Sequence, residues 1–271
     1  MPIEIFRALH QGPALLVLPN AWDAATARLI ESMGAKAIAT TSAGLAWSRG
    51  YPDGNALPID QVIAATRDIA RVIRVPLTVD VEAGYSDDPH EAADLVLRIL
   101  DIGAVGINIE DGAASADLLC KKIAAVRSAA ARSGVDLFIN ARTDVYLRGI
   151  ASGDAAIAEV IHRASRYRAA GCDGLFVPGL SRGDAMTAIA EAIKPMPLNI
   201  MALPSLPSMD ALRKHGVRRL SAGSAIAEAA LGCTRRLTAA LLAESLGEMF
   251  SAAAEYGAVN KLFGRDRGGN A

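Results

Sequence analysis

Cysteine is scarce in this chain of 271 residues, with only Cys120, Cys172 and Cys233. So few, widely spaced and odd in number, they exclude a disulfide framework and make a reducing, cytoplasmic setting the default expectation. A surplus of charge of one sign is also missing, since 28 basic residues stand against 29 acidic ones for a formal net charge of -1. Neither a nucleic-acid nor a membrane partner is therefore expected. No apolar run approaches the ~20 residues that cross a bilayer. The first residues lack the basic region and apolar stretch of a secretory leader. Linkers and low-complexity segments are absent as well. Residues 1–271 are accordingly expected to form one domain, at a length usual for α/β barrels.

What is present is a rhythm. Short apolar runs fall at 15–19, 37–42, 76–82, 105–110, 137–142, 174–178, 197–202 and 219–223. Each is followed by a helical pattern, with good start signals: Asp23 as an N-cap, and Asp88-Pro89-His90-Glu91 as N-cap, first-turn proline and capping-box acid. The runs are short and continuously apolar, as in parallel strands buried on both faces. Eight such units predict a (β/α)8 TIM barrel. A doubly wound open sheet competes, but its glycine fingerprint is missing after the first strand. A glycine-containing loop is expected from 43 to 58. Residues 239–256 exceed what the eighth helix needs and read as an additional C-terminal helix, with another subunit as one place to bury it.

The chemistry concentrates in Val79-Asp80-Val81-Glu82-Ala83-Gly84-Tyr85. On a strand, positions i and i+2 face one side, so Asp80 and Glu82 share a small space. Two such carboxylates call for a cation or a proton, or else they are solvated at a strand end. In a barrel the active site lies at the C-terminal strand ends. There the polar residues crowd one half of the mouth: Thr40-Thr41-Ser42, Asp80 and Glu82, Asn108, Glu110 and Asp111, then Asn140, Arg142 and Asp144. Several acids facing one arginine suit a hard, oxygen-loving cation such as Mg²⁺, which keeps several waters and takes few carboxylates. Arg142 offers a two-pronged donor for an anionic oxygen, or else closes the mouth as an internal salt bridge. Asp111 and Asp144 read as helix caps or supporting partners. The four histidines, His10, His90, His162 and His215, are dispersed and read as surface residues. Asn199 reads as a satisfied strand asparagine.

Together, the run 79–85, Gly106-Ile107-Asn108-Ile109-Glu110-Asp111, Asn140-Ala141-Arg142-Thr143-Asp144, Ser42-Ala43-Gly44 and Gly50-Tyr51-Pro52-Asp53 resemble the isocitrate lyase / phosphoenolpyruvate mutase superfamily. The similarity runs in order from about residue 20 to 224. It implies a Mg²⁺-dependent enzyme (Mn²⁺ serving as well) acting on a small anionic 2-oxo acid or its enol. By the resemblance, Asp80 is the direct metal ligand. Asp53, Glu82 and Glu110 reach the metal through water. Ser42, Ala43 and Gly44 cradle the substrate carboxylate. Arg142, with Glu110, serves the reacting centre. A homotetramer or homodimer that swaps its C-terminal helix is also implied.

Departures narrow this. Glu82 stands where Asp is usual. The Lys-x-Cys-Gly-His motif of the lyases is missing, since Glu110 is followed by Asp111-Gly112-Ala113-Ala114-Ser115. Cys120 sits in an apolar helical pattern and reads as a core residue. Pro178-Gly179 stands where tricarboxylate lyases place a Glu. Three functions remain: a C–C lyase or decarboxylase working through a pyruvate enolate, a phosphonopyruvate mutase or hydrolase, and a non-catalytic 2-oxo acid binder.

Overall fold

A computed structural model describes residues 2–12, 14–250 and 253–264. The chain opens with a helix, α1 (Pro2–Gln11), that the strand-and-helix rhythm does not foretell. Nine strands follow: β1 (Leu16–Leu18), β2 (Asn20–Ala21), β3 (Ile38–Thr40), β4 (Leu77–Asp80), β5 (Gly106–Glu110), β6 (Phe138–Arg142), β7 (Gly174–Phe176), β8 (Leu198–Met201) and β9 (Val217–Ser221). All pair in parallel, in the order β1-β9-β8-β7-β6-β5-β4-β3-β2. β1 and β2 are two halves of one strand, split at Pro19, which has no N–H to give to a ladder. Because β1 pairs with β9 and β2 with β3, the sheet closes. The fold is the expected (β/α)8 barrel.

The helices between the strands are α2 (Ala24–Ser32), α3 (Ser42–Trp47), α4 (Ile59–Val72), α5 (Pro89–Asp101), α6 (Ala116–Arg132), α7 (Gly153–Ala170), α8 (Gly183–Ala192) and α9 (Met209–Lys214). The caps form much as read: Asp23 accepts from the Thr26 N–H at 2.7 Å and Asp88 from the His90 N–H at 2.8 Å. Glu91, however, accepts from Ser86 at 2.6 Å rather than closing a capping box. Residues 43–47, expected as loop, coil together with Ser42, expected to end the second strand, into α3, whose N-cap is Thr41.

Strand alternation sorts the core in two. One set of strand residues, including Val79, Ile107, Ile109, Ile139, Leu175 and Ile200, packs with the surrounding helices. A smaller cluster closes the N-terminal end of the barrel: Leu16, Leu18, Ala39 and Phe138 meet Ile3 and Phe6 of α1. His10 belongs to this plug. It is buried, its ring stacks on Phe138 at 4.3 Å, and its Nδ1 lies 2.7 Å from the Phe6 carbonyl. The reading of His10 as a surface residue is therefore corrected; the missed α1 is the reason.

The expected helix over 239–256 is also corrected. The eighth barrel helix, α10 (Ala225–Leu242), absorbs residues 239–242. It stops where Glu244 adopts a left-handed φ of 59° and Ser245 N–H turns back to the Ala240 carbonyl at 2.9 Å. Two short helices follow, α11 (Leu246–Met249) and α12 (Tyr256–Leu262). Residues 251 and 252 of the expected helix lie outside the described residues. The Ala/Leu/Glu-rich composition favours helix over most of this stretch, but Ser245 and Gly247 mark the break: Ser245 is the N-cap of α11, with Glu248 in its first turn. Of α10 only Ala227 is buried, while Leu231, Leu241 and Leu242 are exposed. No helix among the described residues is long and apolar enough to cross a membrane.

Candidate active site

Parallel pairing brings the polar strand ends to one mouth. Asp80 stands level with Asn108, and Glu110 with Arg142. Asp80 closes β4, where its own N–H donates to Thr40 Oγ1 at 2.8 Å. Its carboxylate accepts from the Glu82 N–H at 3.2 Å and faces the Ser42 N–H. Burial raises its pKa; Arg142 opposes that, and Asp53 adds to it.

Beyond Asp80 the backbone is contorted. Glu82 and Tyr85 adopt left-handed φ values of 49° and 57°, and Asn55, at 60°, faces them. Residues held in such conformations gather at functional sites. A sharp turn, Gly84 N–H to Val81 carbonyl at 2.7 Å, connects them. Gly84 has φ 90°, and a Cβ there would meet the Ala92 side chain at 2.9 Å, so the turn requires glycine. Glu82 is held at both oxygens: the Tyr85 hydroxyl donates to Oε1 at 2.7 Å, and the Asn55 N–H donates to Oε2. Burial raises the pKa of Glu82 as well. Lys122 of α6 is buried and donates to the Ala83 carbonyl at 2.7 Å, anchoring the turn from behind.

Arg142 lies between two acids, 2.6 Å from Glu110 and bonded to Asp144 through Nε at 2.7 Å and Nη2 at 3.0 Å. The open two-pronged donor expected from the sequence is thus occupied by Asp144. These partners hold the Arg142 pKa above its ordinary value against the cost of burial. Burial pushes the Glu110 carboxyl up, with Arg142 opposing and Asp80, Asp144 and Glu82 adding. Asp111 supports the group from below: it accepts from the Asp144 N–H at 2.9 Å, from Thr143 and Arg163 at 2.8 Å each, and from the Tyr167 hydroxyl at 2.6 Å.

Ser42, Ala43 and Gly44 form the buried first turn of α3. A Cβ on Gly44 would lie 2.8 Å from both Trp22 and Thr41, so packing alone demands glycine there. Asp53 is exposed on the loop that carries Asn55, close enough for its charge to act on Asp80 and Glu82. Cys120, half-buried on α6, packs against the outer core near Asp117 and Arg166, and burial raises its thiol pKa. Asn199 is fully engaged with Asn140, Ile200, Arg219 and Ser221.

Arg219, Asn55 and Lys122 escaped the sequence reading. Arg219 is wholly buried in the barrel, with Nη2 donating to Asn108 at 3.1 Å and with Nε and Nη1 unpartnered. Which of Arg218 and Arg219 points inward depends on register, which two adjacent arginines do not reveal. The Gly54-Asn55 pair signals a turn, but not its partner.

Among the described residues, no three His, Cys, Asp or Glu side chains converge closely enough to hold a metal ion unaided. Asp80, at the end of β4 and within reach of the charges of Glu82 and Glu110, is a hard oxygen donor of the kind that Mg²⁺, with few carboxylates and a mainly water shell, would take. Asp80, Glu82 and Glu110 outnumber Arg142 and Arg219, the cations beside them, so a further positive charge or a proton would relieve them.

Residues 6–242 match the family profile described as phosphoenolpyruvate phosphomutase. The chain belongs to the isocitrate lyase / phosphoenolpyruvate mutase superfamily of enzymes. Among its superfamily relatives, an uncharacterized protein of Mycobacterium tuberculosis is 38% identical over 221 residues, covering 81% of each chain. The Corynebacterium glutamicum protein named probable 2-methylisocitrate lyase 1 is 30% identical over 190 residues, covering 65% of this chain and 59% of its own length. A solved structure described as a candidate phosphonomutase of Burkholderia cenocepacia J2315 is 37% identical, with a TM-score of 0.83, covering 88% of this chain and 98% of its own.

Proposed function

We propose that this superfamily member is a Mg²⁺-dependent lyase that breaks a carbon–carbon bond in a small 2-oxo acid through a pyruvate-type enolate. The observation that carries the reading is the placement of Arg142, held between Glu110 and Asp144, beside the half-buried Asp80. When the bond breaks, its electron pair moves toward the 2-oxo oxygen. A preorganised cation aimed at that oxygen lowers the barrier because it need not reorient. Arg142 supplies it; Asp144 and Glu110 fix its direction. The first turn of α3, Ser42 to Gly44, would cradle the substrate carboxylate at the Ala43 N–H, since the Ser42 N–H faces Asp80 and the Gly44 N–H lies 3.5 Å from Thr41 Oγ1. Asp80 would hold Mg²⁺ directly, with Glu82, Glu110 and Asp53 acting through water. The ion would add Lewis-acid charge at the substrate oxygens. The Asn55–Glu82–Tyr85 lock would keep bulk water from the mouth.

A second reading, cleavage or rearrangement of the carbon–phosphorus bond of a phosphonopyruvate, gains weight from the similarity to the candidate phosphonomutase. Turnover of oxaloacetate, phosphonopyruvate and 2-methylisocitrate with Mg²⁺ decides between them. Loss of all three activities, with oxalate still bound, would favour a binding protein. The exposed apolar face of α10 and its single buried residue support assembly into a homodimer or homotetramer through this helix.

A further inference from the structure

The barrel has a second concave site at the end opposite Asp80. Between α1, the loop after α8 and the turn from α9 to β9 lies a cavity of about 600 Å³, a size suited to a small metabolite. Arg7, Lys194, Arg213, Lys214 and Arg218 line it, against Asp173 and Glu191 alone. Three of these cations have partners: Arg7 pairs with Asp136 at 2.7 Å and Asp173 at 2.9 Å, Lys194 with Glu191 at 2.5 Å, and Arg213 with Asp210 at 2.5 Å. Lys214 and Arg218 have no ion-pair partner among the described residues, and Arg218 is half-buried. A guanidinium without a carboxylate partner keeps its N–H donors available to acceptors in the cavity.

His10 shows the same positive field. It forms part of the wall, is 5% exposed, and its Nε2 has no partner. Burial and the charges of Arg219 and Arg7 all disfavour its protonation. Beside the cations lies an apolar floor of Phe138, Pro195, Met196 and Pro197. Because the cavity is recessed and the whole chain carries a net charge of -1, an extended polyanion such as nucleic acid is a poor fit. A compact, doubly charged group with several acceptor oxygens suits two unpaired cations from neighbouring elements.

We propose that this cavity is a binding site for a small phosphate-bearing molecule, separate from the mouth around Asp80. Isothermal titration of the full-length protein, in chelator and at near-physiological salt, tests it with inorganic phosphate, pyrophosphate and ADP. Inorganic phosphate represents the free ion and the other two a larger phosphoester. At least one should bind saturably, and the Lys214→Ala/Arg218→Ala double variant should weaken it tenfold or more. Lys214→Ala alone, at an exposed position, should weaken it by a smaller factor and keeps the test open if Arg218→Ala disturbs β9. Absence of saturable binding by all three probes would overturn the proposal. So would undiminished affinity in folded variants, which would place the anion elsewhere, including at the Arg142 mouth.

Discussion

Asp144 receives Arg142 through two parallel hydrogen bonds, Nε to Oδ1 at 2.7 Å and Nη2 to Oδ2 at 3.0 Å. Asp144 is itself held at its backbone by Asp111, and Asp111 by Arg163 and Tyr167 of α7. The direction of the guanidinium is therefore fixed by an outer helix. Asp144→Asn removes the charge and one acceptor while keeping the shape. Because small misplacements of a catalytic group cost on the order of 10²-fold, kcat/KM on the active 2-oxo acid should fall by roughly that factor. Oxalate affinity measured with Mg²⁺ should fall in parallel. An unchanged affinity would mean that Glu110 alone orients Arg142.

The barrel was legible because eight short apolar runs, each followed by a helical pattern, admit few other closures. The mouth was legible because parallel pairing brings strand ends together, so Asp80, Glu110 and Arg142 had to be neighbours once the fold was given. What stayed hidden depends on contacts across the fold. The capture of Glu82 by Asn55 and Tyr85 joins residues 27 positions apart in the case of Asn55. The inward turn of Arg219 rests on register, and the plug made by α1 on Phe6 and His10 filling the barrel floor. The break at Glu244 is marked only by Ser245 and Gly247, two residues that the surrounding Ala/Leu/Glu-rich pattern outweighs.

Metal binding is expected to depend on Asp80. Asp80→Ala removes the proposed direct ligand from the end of β4 and should abolish saturable Mg²⁺ or Mn²⁺ binding by calorimetry. The fold should survive, since the outward-facing core of β4, Leu77 and Val79, is untouched. Wild-type affinity in the variant would rule out Asp80 as the ligand.

Acid should destabilise the protein partly through His10. Its pKa is lowered from 6.5 to about 3, chiefly by burial and then by the charge of Arg219. Between those values the unfolded chain binds a proton that the folded chain refuses. The stabilisation is complete above pH 6.5 and is lost as pH falls toward about 3. The slope from one such group is at most about 1.4 kcal/mol per pH unit. His10→Gln should flatten the pH dependence of urea unfolding between pH 6.5 and 4 by up to one proton. An identical slope in wild type and variant would show that His10 is protonated in the folded state.

Assembly is expected to run through the C-terminal segment. Leu242, Leu246, Phe250 and Tyr256 are 81%, 60%, 72% and 84% exposed, an apolar series that solvent alone does not accommodate well. Removing residues 243–271 should lower the mass seen by light scattering. The same mass with and without them would leave α10 as the sole contact or the protein as a monomer.

An enolate released by bond cleavage must take up a proton at carbon. Lyases carrying the Lys-x-Cys-Gly-His motif have a thiol for this; here Asp111 to Ser115 replace it. Cys120 does not substitute, because it lies on α6 near Asp117 and Arg166, with its thiol pKa raised by burial. With no thiol at the mouth, proton delivery falls to another group or to water, which suits a small 2-oxo acid better than a tricarboxylate. Cleavage of 2-methylisocitrate should therefore be absent or very slow. Cys120→Ser should leave turnover of the true substrate within about twofold and cost about 1 kcal/mol of stability or less, since the thiol is only half-buried. Brisk 2-methylisocitrate cleavage by the wild type, or loss of activity in a folded Cys120→Ser protein, would reinstate a thiol acid.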